Sequence, residues 1–161
     1  MLHIPVKLFH SMGFLDRKIV CVSIIVTAGL FVPIAYIHEI GHALICELDG
    51  HDVTIVIKNG IASQVLCQGT PSNSMFYYAF GGLLGMFASF SLLIPWKWTI
   101  RNKGVLVGAF TNATIHGVTA IVETFAHDWY VTDISAASIV TGVPVGLAFS
   151  IFLIIFGRKR E

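Results

Sequence analysis

The sequence predicts an all-α membrane protein, about four transmembrane helices with a small β-hairpin inserted after the first, and three observations carry that prediction. The chain is far more apolar than a globular domain of 161 residues needs, at 55% hydrophobic and 12% charged residues and a mean hydropathy of +0.80. Its apolar residues gather into four runs of membrane-spanning length, separated by short basic or polar clusters. Between the first two runs the texture turns β-branched on either side of Asn59-Gly60. Residues 1–161 are therefore expected to form a single integral-membrane domain.

Residues 1–18 are amphipathic and mildly basic, with Lys7, Arg17 and Lys18, and suit the membrane surface. The first span, 19–46, is an anchor rather than a cleavable signal, because it runs directly into the polar motif described below. Pro33 lies inside it and is expected to bend the helix. Residues 52–67 read as a hairpin with a type I′ turn at Asn59-Gly60, and Gly50 suits the stop of the preceding helix. An exposed strand edge there could pair with an extended peptide. The second span, 75–95, carries Gly81, Gly82 and Gly85 as a small-residue packing face and is closed by Pro95 and Trp96-Lys97-Trp98. The third, 105–124, places Asn112, His116, Thr119 and Glu123 at i, i+4, i+7 and i+11, a polar stripe that must turn away from lipid. A short polar and aromatic interlude, His127 to Asp133, precedes the fourth span, 135–156. Cys21, Cys46 and Cys67 have neither an even count nor C-x-x-C spacing and read as apolar filler, with a structural disulfide as the minor alternative.

Lysine and arginine set the topology. The N-terminal segment, the 96–103 loop and the C-terminus each carry three, against Lys58 alone in the hairpin region and none between 124 and 135. Four spans with both termini cytoplasmic fit that bias, and they bring the end of the first span and the start of the fourth to one side. There is no basic face for nucleic acid.

The chemistry concentrates in Tyr36-Ile37-His38-Glu39-Ile40-Gly41-His42-Ala43-Leu44, an H-E-x-x-H pattern at the end of the first apolar run. Four-residue spacing on a helix stacks His38 and His42 on one face, where both can serve one zinc ion. Glu39 follows about 100° round the helix, too displaced to be a ligand in that plane but placed to take a proton from a water. Composition alone would give the pattern on the order of once in a hundred such chains. Each ionisable group at bilayer depth costs roughly 2.5–3.5 kcal/mol or more without a partner, so three together need a shared reason, and a metal supplies one.

A catalytic zinc site takes three protein ligands and leaves the fourth position open. A carboxylate is favoured as the third, because zinc with two neutral imidazoles, one carboxylate and a hydroxide is formally neutral in a low-dielectric site. Asp128 ranks first, Asp133 second as a reserve and Glu123 third. Either aspartate could instead cap the fourth helix.

The run His38-Glu39-Ile40-Gly41-His42-Ala43-Leu44 at the end of a membrane helix resembles the site-2 protease family of intramembrane zinc metalloproteases. The glycine-rich second span, the later Asn112 and an aspartate after it resemble that family's core. The resemblance covers roughly residues 34–144, and only H-E-x-G-H in it is a specific motif. It implies a Zn²⁺ endopeptidase that cleaves membrane-anchored protein substrates within or beside their transmembrane segments, in regulated intramembrane proteolysis. It also implies Glu39 as base, an aspartate as third ligand, and an asparagine, here Asn112, holding the substrate backbone. The chain departs from the family at the third ligand: Leu48-Asp49-Gly50 occurs only seven residues after His42, too early to return from a separate helix, and reads as a helix terminus.

Two other classes compete. A non-catalytic membrane protein that binds a metal or a client helix would need the histidines but not Glu39. A metal transporter would line its path with His116 and Glu123. The expected partners are the lipid bilayer and a membrane-anchored substrate, and the expected location is multi-pass in the cell membrane.

Overall fold

The computed structural model describes residues 15–58 and 62–157. Most of the surface segment, the Asn59-Gly60 turn and the terminal basic cluster lie outside the described residues. The chain runs α1 (Arg17–Leu48), β1 (Val53–Lys58), β2 (Ala62–Cys67), α2 (Ser74–Ser91), α3 (Trp96–Arg101), α4 (Lys103–Thr132) and α5 (Ile134–Phe156). It is a mostly helical protein with one small antiparallel sheet. Among the described residues three helices are long and apolar enough to cross a membrane, within α1, α4 and α5. The expected second span forms α2, whose 18 residues reach about 27 Å.

Contacts at the two ends fix the directions. The start of α4 packs on the start of α1, where Gly104 and Gly108 lie against Val22 and Val26. The start of α2 meets the end of α1, and the end of α5 returns to the start of α1 through Asp16 N–H to Gly157 O. So α1 and α4 run parallel, with α2 and α5 antiparallel to them. α4 packs against α1, α2 and α5 and supplies much of the core, including Leu106, Val107, Ala109, Ala113 and Ile115. Its polar stripe turns inward as lipid requires: Asn112, His116, Thr119 and Glu123 are all buried. Thr111 and Thr119 satisfy their hydroxyls on the carbonyls of Val107 and Ile115, one turn back.

α1 is continuous through Pro33 and begins at Asp16, whose carboxylate accepts from Lys18 N–H. It stops where expected, with Gly50 at φ 80° and His51 N–H returning to Cys46 O. Leu48-Asp49-Gly50 is thus a helix terminus. The Asp49 carboxylate accepts from the hydroxyl and backbone N–H of Ser72, which pins the entry to α2 and holds the carboxyl below its ordinary range.

The hairpin register runs from Val53 paired with Cys67 to Lys58 paired with Ala62, and the turn expected at Asn59-Gly60 lies outside the described residues. One sequence expectation is corrected here. Cys46 and Cys67 are not filler: they form a disulfide across 21 residues, joining the last turn of α1 to the end of β2. Cys21 is free and exposed, which is why the odd count misled. Closing a loop of that length contributes about 3 kcal/mol in the chain-entropy account. Cys67→Ser is therefore expected to lower stability by roughly that amount. A chemical-unfolding midpoint that does not move, with or without reductant, would show that the bridge contributes nothing.

Candidate metal centre

α1 presents His38 and His42 one turn apart, both buried, with their Nε2 atoms 3.0 Å apart. The Nδ1 of His42 lies 2.8 Å from the backbone carbonyl of Tyr77 in the first turn of α2. A carbonyl only accepts, so Nδ1 carries the proton and the Nε2 lone pair faces inward. Glycine makes that approach possible. A Cβ on Gly81 would fall 2.3 Å from His42 Nε2, and one on Gly41 would fall 2.8 Å from Gly81 Cα. The glycine of the H-E-x-G-H run and the first of the α2 glycines thus bring two helix backbones into contact and leave the volume that the imidazole fills. Gly81→Ala is expected to displace His42, cost roughly 1–3 kcal/mol, and empty most of the metal from the purified protein. Full metal content with an unchanged melting temperature would contradict this.

α4 supplies the third group. Glu123 Oε2 lies 3.2 Å from His38 Nε2 and 3.4 Å from His42 Nε2, and this buried oxygen has no hydrogen bond of good geometry. Among the described residues His38, His42 and Glu123 are the group whose donor atoms converge to hold a metal ion. Ligand bonds of about 2.0–2.2 Å in a tetrahedron give edges of about 3.3–3.6 Å, close to the separations here. The donor set of two imidazoles and one carboxylate suits a borderline-soft divalent cation, and the orphaned oxygen has a use once one is bound.

No family model, curated protein or solved structure matches the chain. The resemblance to the site-2 protease family therefore rests on the residues quoted above.

The expected order of third ligands is corrected by this geometry. Asp128, ranked first, is exposed and stands outside the converging group. Between it and Glu123 the helix is interrupted at Ala126, with φ −142° and ψ 35°. Asp133 is the N-cap of α5, accepting from Ser135 N–H and Oγ–H. Glu123, ranked last, is brought in because it belongs to the inward stripe, and the stripe was the signal that could have promoted it. Asn112, expected at the substrate, is fully buried between α4 and α1, where its amide donates to Gly108 O at 3.0 Å and Thr27 O at 3.4 Å. Its Oδ1 is buried without a hydrogen-bond partner.

Glu39 is half-buried and outside the donor set, as its helical phase requires. Its Oε2 accepts from Val65 N–H at 3.1 Å. That N–H is directed away from β1, so the outer edge of β2 runs past the carboxylate. Neither the Tyr77 carbonyl nor the Val65 N–H is visible to sequence reasoning, because a backbone group carries no residue-type signature.

Proposed function

We propose that the protein is an intramembrane zinc metalloprotease that hydrolyses peptide bonds of membrane-anchored proteins within or near their transmembrane segments. One observation carries the proposal: an H-E-x-x-H pair on a membrane helix meets a carboxylate from a second helix, while the remaining glutamate stays out of the donor set and beside it. A structural metal site needs the ligands alone; a half-buried spare carboxylate beside them is explained by catalysis. In this reading α2 crosses the bilayer as a fourth span, and the protein resides in the cell membrane.

His38, His42 and Glu123 would hold the zinc ion, which when bound acts as a Lewis acid and draws the pKa of a water toward neutrality. Glu39 would take a proton from an attacking water as its oxygen adds to the carbonyl carbon, and would return that proton to the amide nitrogen as the carbon–nitrogen bond breaks. Val65 N–H orients the Glu39 carboxylate. A helical substrate must unwind before its amide can be attacked, and the outer edge of β2, held to Glu39 through Val65 N–H, borders the place where that unwound stretch would lie. The test is cleavage of a membrane-anchored reporter by the reconstituted protein, compared with Glu39→Gln. Zinc-loaded parent protein that leaves a panel of such reporters intact would defeat the proposal and favour a binding role.

A further inference from the structure

A histidine that ligates a metal through one ring nitrogen is held in place by what its other nitrogen bonds. For His42 that partner is the Tyr77 carbonyl. For His38 it is a side chain. With Nε2 facing His42 and Glu123, the Nδ1 of His38 lies 3.4 Å from the Nδ1 of His116 on α4.

We propose that His116 is a positioning residue of the metal centre, its Nδ1 accepting a hydrogen bond from His38 Nδ1–H and so aiming the His38 Nε2 lone pair at the metal. The tautomers follow from proton counting. A neutral His38 that ligates through Nε2 has its proton on Nδ1, so the facing nitrogen of His116 must offer a lone pair, and His116 carries its own proton on Nε2.

The surroundings of His116 fit a supporting rather than a ligating group. Its Nδ1 meets the far nitrogen of His38 instead of the converging donor atoms, and it stands outside the His38, His42 and Glu123 group. The side chain is only 6% exposed, and its Nε2 has no hydrogen-bond partner, so among the described contacts Nδ1 is the ring's polar attachment. A Cβ on Gly85 would fall 2.8 Å from both Cγ and Nδ1 of His116, so the α2 glycine leaves a slot that the ring fills. The polar stripe thereby gains a division of labour: Glu123 contributes a donor atom and His116, two turns earlier, fixes another ligand's ring.

The inference rests on the metal centre and not on proteolysis, and it is tested on the full chain in detergent. In zinc-loaded protein with ¹⁵N-labelled histidine, His38 is expected as the Nδ1–H tautomer and His116 as the Nε2–H tautomer. A His116 ring protonated at Nδ1 would overturn the proposal without any variant being made. Zinc affinity measured by competition with a chelator is expected to fall about 10- to 100-fold in His116→Phe. His116→Gln, whose side-chain carbonyl accepts a hydrogen bond, is expected to return close to the parent, with similar unfolding of all three metal-free proteins. Unchanged affinity in His116→Phe, or equal weakness in both folded variants, would reduce His116 to packing. If neither variant folds, the tautomer measurement decides. A parent chain that binds no zinc would defeat the metal centre itself, a result distinct from each of these.

Discussion

Glu39→Gln is expected to retain one equivalent of zinc and lose about 10²- to 10⁴-fold in cleavage rate, the contribution of a positioned general base. The substitution is nearly isosteric, and the glutamine carbonyl can still accept from Val65 N–H, the contact that the carboxylate makes at 3.1 Å. Fold, hairpin position and donor set are thus preserved, and only the capacity to take a proton is removed. Elemental analysis of the purified protein reads the metal, and reporter cleavage reads the turnover. Substantial residual cleavage would sink the assignment of Glu39 as base.

The second large effect belongs to Glu123. Four-ligand zinc sites bind with about 10–16 kcal/mol, so one ligand in such a set corresponds to roughly 3 kcal/mol. At 1.4 kcal/mol per decade, Glu123→Ala is expected to weaken zinc binding about a hundredfold or more and to take cleavage to background. Two controls make the result specific. Asp128→Ala removes an exposed carboxylate outside the converging group and is expected to keep the metal. Asp133→Ala removes the α5 cap, costing about 1 kcal/mol of stability while the metal stays. Metal lost from Asp128→Ala and kept by Glu123→Ala would reverse the ligand assignment.

The parts of this site that sequence revealed are those written in residue type and helical spacing. His38 and His42 are four apart, and Asn112, His116, Thr119 and Glu123 follow one face of a helix too apolar to show that face to lipid. Both patterns survive folding. Ranking the third ligand failed because span parity brings Glu123, Asp128 and Asp133 to the same side of the membrane without resolving how far along the helix each one sits. Charge reasoning likewise favours any carboxylate equally. Five residues along a helix already turn Asp128 about 140° away from Glu123, and the break at Ala126 between them gives no warning in the sequence. The disulfide was hidden by the unpaired Cys21, and its geometry depends on the hairpin folding back over α1.

That cross-link also bears on which way the molecule faces. Thiols in a glutathione-buffered cytosol stay reduced, so a bond between Cys46 and Cys67 is the chemistry expected of a rim that faces an oxidising compartment. Arg17 and Lys18 begin α1, Arg101 ends α3 and Lys103 begins α4 at the opposite rim, the side that a positive-inside bias would assign to the cytosol. Redox chemistry and charge bias, from unrelated physics, put the hairpin and the His38, His42 and Glu123 cluster at the same rim, opposite the basic one.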